Sequence, residues 1–144
     1  YPFDPAARAL ARSITAEMHS GFGALRSACP MMLAYCYEGF KVSDSVRIDL
    51  TRIQDLWTLA RTRHGAGGPW LFGEYSLADV FYAPVAMRIT TYDLPVSDDA
   101  REYVNAHLND PALISWRAEG LKDSYDPWPY PSDLKRKPWP ETKN

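Results

Sequence analysis

The chain has 144 residues, enough for one domain that buries roughly two-thirds of the surface its unfolded form would expose. Hydrophobic residues make up 46% and charged residues 24%, the balance of an ordinary folded domain, which argues against disorder except at the very end of the chain. A net charge of −2 leaves no electrostatic footprint for nucleic acid or an anionic membrane, and no apolar stretch free of charge or Pro approaches the ~18 residues that span a bilayer.

The chain starts on Tyr1, an unusual first residue for a translated protein, so further residues are expected upstream. Nothing in it reads as a signal peptide. Cys29 and Cys36 are too few for a disulfide framework and lack metal-ligand spacing. Two reduced thiols in a cytosolic protein are expected, with a Cys29–Cys36 bridge as the alternative.

In chain order, Asp4 followed by Pro5 is a helix start, an N-cap with Pro in the first helical position. Leu10, Ile14, Met18 and Phe22 recur every four residues and Leu25 extends the stripe, while Arg8, Arg12 and Arg26 lie off it. The spacing predicts one helix from about Pro5 to Ala28, ~36 Å long, with Gly21 and Gly23 marking a bend or a close backbone approach. "PMMLAYCYEGFKV" has no clear period and reads as an ordered excursion or a short broken helix. Ser43 or Asp44 caps the next helix, with Val46, Leu50, Ile53, Trp57 and Ala60 on its inner face and Gly65 as its stop.

In "PWLFGEYSLADVFY", Ser76 and Asp79 form a capping box, and Tyr75 with Val80 the matching hydrophobic staple. From Leu77 to Met87 only Asp79 is charged and every side is apolar, so this helix belongs in the middle of the protein, kinked at Pro84. Ser97 caps another helix facing inward through Ala100, Tyr103, Val104 and Leu108, and Asp110 with Pro111 starts the last, which carries Leu113, Ile114, Trp116 and Leu121. No strand or hairpin signal stands out. The expected fold is all-α: a bundle of five to six helices around one buried central helix, over residues 1–124. Residues 125–144 are a Pro- and Trp-rich tail, with Trp128, Tyr130 and Trp139 suited to an extended strap along the domain or a partner. The basic run Lys135, Arg136, Lys137 reads as solvated.

The stretch "GPWLFGEYSLADVFYAPVAMRITTYDLP" resembles the C-terminal helical domain of cytosolic glutathione S-transferases, in which a Ser-x-x-Asp capping box starts the buried central helix. "DPAARALARSITAEMHSGFGALR" is similar to the first helix of that domain, and the resemblance extends to about residue 120. It implies a bacterial, beta-like transferase domain, cytoplasmic and homodimeric, that walls the pocket for a small hydrophobic electrophile. Glutathione, the co-substrate, would be bound mainly by an N-terminal thioredoxin-like domain supplying the Tyr, Ser or Cys that works on the thiol. None of these 144 residues resembles that domain, so conjugation by this chain alone is not expected. Helical domains of this kind also mediate association in translation-elongation subunits and tRNA-synthetase assemblies. A non-enzymatic interaction module is therefore the alternative, and a relative that has lost activity a third possibility.

The resemblance also selects residues. "AEMHSGF" is similar to a Glu-x-His-Lys-Gly-Phe run of beta-class members whose His and Lys face the glutathione end of the cleft; Glu17, His19, Gly21 and Phe22 match, and Ser20 replaces the Lys. His19 lies off the core stripe near Thr15, so it reads either as a cleft hydrogen-bonder or as a plain surface histidine. Thr15, His19, Ser20, Tyr35 and Tyr37 are the candidate cleft residues, the two tyrosines because they fall in the irregular excursion. Met18 and Phe22 read as core. His64 and His107 read as solvated residues at helix C-termini. Tyr75, Ser76, Asp79 and Val80 are structural, and neither a catalytic group nor a metal site is expected.

Overall fold

The computed structural model describes residues 1–123, 130–131 and 133–140. Its helices are α1 (Pro5–Ser20), α2 (Gly23–Ala28), α3 (Asp44–His64), α4 (Leu77–Thr91), α5 (Asp98–Leu108) and α6 (Pro111–Gly120), joined by two short strands, β1 (Tyr35–Glu38) and β2 (Lys135–Pro138). The fold is an all-α bundle with a small two-stranded ribbon at one side.

Most helix starts follow the local signals. Asp4 accepts from the Ala7 N–H at 2.7 Å, Ser43 from Val46 at 3.4 Å, Ser97 from Ala100 at 3.3 Å and Asp110 from Leu113 at 2.9 Å, each satisfying an amide that has no partner inside its helix. The predicted Pro5–Ala28 helix is instead two helices. Gly21 is extended at the end of α1, and Phe22 takes a left-handed conformation, φ 58°, before α2 begins. A left-handed non-glycine residue is strained, and here burial of the Phe22 ring offsets that strain. Arg26 closes the break by donating to the Met18 and His19 carbonyls at the end of α1.

The core gathers around α4. Ala78, Asp79, Tyr82, Val85, Ala86 and Ile89 are buried, and α4 packs against α1, α5 and β1. The helix runs through Pro84 without interruption, although Pro84 has no N–H to give the Val80 carbonyl. Tyr82 donates to the Ile14 carbonyl at 3.0 Å and Thr91 to the Met32 carbonyl at 2.7 Å, tying α4 to the first third of the chain.

The ribbon corrects the expectation that no strand exists. β1 and β2 pair antiparallel, Tyr35 opposite Pro138 and Glu38 opposite Lys135. Four residues carry too short a pattern to announce a strand, and the partner lies about a hundred residues away in sequence. The basic run is not simply solvated either. Lys135 pairs with Glu38 at 3.0 Å, Lys137 with Asp93 at 3.6 Å, and the Arg136 guanidinium lies 4.2 Å from the Tyr35 ring centre. Tyr130 and Trp139 both pack on the core, whereas Trp128 lies outside the described residues.

Candidate functional site

The N-terminal end of α4 is built from the capping box. Ser76 Oγ accepts from the first-turn amides, the Ala78 N–H at 3.2 Å among them, and Asp79 Oδ2 accepts from the Ser76 N–H at 2.8 Å. The other oxygen, Oδ1, accepts from the Leu71 N–H at 3.1 Å and the Tyr103 hydroxyl at 3.0 Å. Burial pushes the Asp79 carboxyl up, and these donors, led by Leu71 and Ser76, pull it back. With the Ser76 hydroxyl, 3.1 Å from Oδ2, the four donors belong to the protein's own scaffold, so Asp79 holds a loop, a helix start and α5 together. Tyr75 turns its ring edge-on to Trp70, centres 4.7 Å apart, and with Val80 it remains half open to solvent.

His107, expected at the surface, is buried: the last turn of α5 folds it against Tyr103 and Trp70, ring centres 4.7 and 5.2 Å away. Among the described residues neither ring nitrogen has a hydrogen-bond partner. Desolvation lowers its pKa to about 4, with Asp110 opposing weakly. His64 is half-buried and stacks on Phe72.

The cleft candidates separate. Thr15 is buried; its hydroxyl donates to the Arg12 carbonyl at 2.9 Å and lies 3.2 Å from the Tyr1 hydroxyl. Ser20 is exposed and donates back to the Ala16 carbonyl at 2.9 Å. Tyr35 is half-buried in the ribbon, edge-on to Tyr37. Tyr37 faces no cleft: it is fully buried and stacked on Tyr92 at 5.2 Å, because β2 covers the segment that reads as irregular in sequence. Of the five, His19 lines an open groove of about 400 Å³ between the end of α1, α2 and α4.

That groove holds two residues that the sequence reading passed over. Arg26 and Arg88 line it together with Val80, Phe81 and Pro84. Arg88 donates through Nε to the Cys29 carbonyl at 2.9 Å and through Nη1 to the Pro84 carbonyl at 3.2 Å. Burial and the like charge of Arg26 lower its pKa. Beyond Val80 and Pro84 the floor continues into an apolar trough of about 300 Å³ between α4 and α6, walled by Tyr75, Ala83, Met87, Leu113 and Trp116. A separate polar hollow of about 290 Å³ lies between α3 and α5, beside Trp57, Thr58 and Arg61.

Neither cysteine suits nucleophilic chemistry. Both thiols are free and buried; burial pushes Cys29 up to about 12, against a smaller opposing pull from Arg88, and raises Cys36. Among the described residues no helix is long and apolar enough to cross a membrane, and no group of three His, Cys, Asp or Glu could hold a metal ion. No protein-family model matches the chain, and no curated protein matches its sequence.

Proposed function

We propose that the chain is the C-terminal helical domain of a cytosolic, homodimeric glutathione S-transferase of the bacterial, beta-like type. Joined to a thioredoxin-like domain, it serves conjugation of the glutathione thiolate to small hydrophobic electrophiles. The observation that carries this reading is the outer side of α4: a capped, otherwise enclosed central helix leaves one apolar trough open, next to a groove that holds His19. Such a surface offers shape and desolvation to an electrophile. The thiolate is the nucleophile, and lowering the thiol pKa is the central step. That work belongs to the companion domain, because both thiols of this chain are buried.

The test is conjugation of glutathione to an aryl halide. The 144-residue chain alone should show little turnover, and a protein carrying it behind a thioredoxin-like domain should turn over robustly. Strong activity of the chain alone overturns the reading, as does a complete protein that binds no glutathione. In the active protein, His19→Ala separates the two roles of that residue, since unchanged turnover and glutathione affinity leave it a surface histidine.

A second reading, a non-enzymatic association module, draws on α6, where Trp116 is 57% exposed and Ile114 and Leu121 are also open. A strict monomer by native mass measurement, with nothing retained in pull-down, removes it.

A further inference from the structure

Among the described residues, the two arginines of the α1–α2–α4 groove have no acidic counterpart. Arg26 spends part of its guanidinium on the Met18 and His19 carbonyls, and Arg88 part of its own on Cys29 and Pro84. Met18, His19 and Cys29 offer carbonyls at the C-terminal ends of α1 and α2, and Pro84 one inside α4; the partial negative charge of about half a unit per helix end does not cancel two full cations. Among the described residues lining the groove there is no Asp or Glu. The acids of the three groove helices are engaged elsewhere: Glu17 holds Arg52 at 2.7 Å, and Asp79 accepts from Leu71, Ser76 and Tyr103. Half-buried Arg88 thus keeps its charge beside a second arginine, an arrangement that a bound anion would relieve.

The cationic end adjoins an oily one. Val80 and Pro84 line both the groove and the trough, and Arg88 Nη1 lies 3.8 Å from the thioether of Met31, which also lines the trough. A ligand with its head between Arg26 and Arg88 can run its body over Val80 and Pro84 toward Leu113 and Trp116. Each half has the size of a small-molecule site. A guanidinium matches a carboxylate in shape as well as charge.

We propose that this surface binds an amphipathic organic anion, with a carboxylate or similar head at Arg26 and Arg88 and an apolar chain or ring along the α4–α6 trough. The site uses only residues of this chain and stands whether or not the transferase reading holds.

Decanoate, decan-1-ol and acetate test it, with binding followed by calorimetry and by the methyl NMR signals of Val80, Ala83 and Leu113. Wild-type chain should bind decanoate about tenfold more tightly than decan-1-ol, bind acetate far more weakly, and lose its preference for decanoate as salt rises. Arg26→Gln, at an exposed position, should weaken decanoate about tenfold and leave decan-1-ol unchanged. Val80→Asp should remove both. An unchanged melting temperature in each variant separates loss of the site from loss of the fold, and Arg26→Lys, which keeps the charge, should recover part of the affinity if a variant unfolds. Equal affinity for decanoate and decan-1-ol, no binding of either, or an Arg26→Gln variant indistinguishable from wild type overturns the proposal.

Discussion

The two sides of α4 have nearly the same composition and opposite surroundings. On the inner side Tyr82, Val85, Ala86 and Ile89 are buried, and the one charge, Asp79, meets a donor at each of its oxygens. On the outer side Leu77, Val80 and Phe81 are as apolar, yet Val80 remains 45% exposed, and two arginines stand close by with no carboxylate among the described residues to meet them. The inner side of α4 is therefore a finished structure: Asp79, Tyr82, Thr90 and Thr91, its buried polar side chains, each have a hydrogen-bond partner in this chain. The outer side has apolar area and positive charge left over, and leftover interaction capacity is what a binding surface consists of.

The comparison breaks most severely at Asp79. Asp79→Ala strands the Leu71 and Ser76 amides and the Tyr103 hydroxyl in a buried setting, at roughly 1–3 kcal/mol for each donor that water cannot reach. A loss of about 3–5 kcal/mol in urea unfolding is expected. A loss below about 1 kcal/mol would mean that the inner side is not held together through this carboxylate.

His107 probes the same side through pH. The folded chain gives up the His107 proton at about 4 and an unfolded imidazole at about 6.5, so between these values the unfolded state binds more protons. Stability should fall as pH drops through that window, by about 3 kcal/mol in total from this one group. The slope should flatten in His107→Phe, which keeps an aromatic ring against Tyr103 and Trp70. Parallel pH profiles for the two proteins would show that His107 is not buried in its neutral form.

What was legible in the sequence was local. Asp4, Ser43, Ser76, Ser97 and Asp110 start their helices as written, because a cap is satisfied within three residues of itself. The apolar run around α4 announced a central helix for the same reason. The break at Phe22 was not legible, because a left-handed Phe is tolerated only once its ring finds the core. The ribbon was hidden by four-residue strands far apart in sequence, and that misreading sent Tyr37 to a cleft when it belongs under β2. At the candidate site, His19 could be picked out by its position off the core stripe. Arg26 and Arg88 could not, since their isolation from acid exists only after α1, α2 and α4 come together.

Arg117 sharpens the boundary between the two sides. Helix α6 has no fully buried residue, and its hold on the domain includes the Arg117 Nε donating to the Leu33 carbonyl at 2.7 Å and the guanidinium 4.8 Å from the Trp139 ring centre. Arg117→Ala removes a charge-assisted hydrogen bond and a cation–π contact, together worth about 1–3 kcal/mol. The loss should be local. Hydrogen exchange should quicken in α6 and the ribbon and remain unchanged in α4, because the core network does not pass through Arg117. Uniform acceleration over the whole chain would make α6 part of the core instead of a wall laid beside it.

The smallest effect on stability is expected at Val80, and it is the most telling for the outer side. Val80 sits in the first turns of α4 with nearly half its surface in water, so Val80→Asp buries no charge and sets a carboxylate near the positive end of the helix dipole. Against that stand a loss of apolar contact along the trough and a gain of repulsion from Asp79 one residue before. The net change should stay within about 1 kcal/mol in urea unfolding. The same substitution at Val85, buried on the inner side, should prevent folding altogether. If Val80→Asp unfolds the chain as Val85→Asp does, the trough is part of the core and the two sides of α4 do not differ; if it leaves the fold intact and abolishes decanoate binding, the outer side is a surface held open for a ligand.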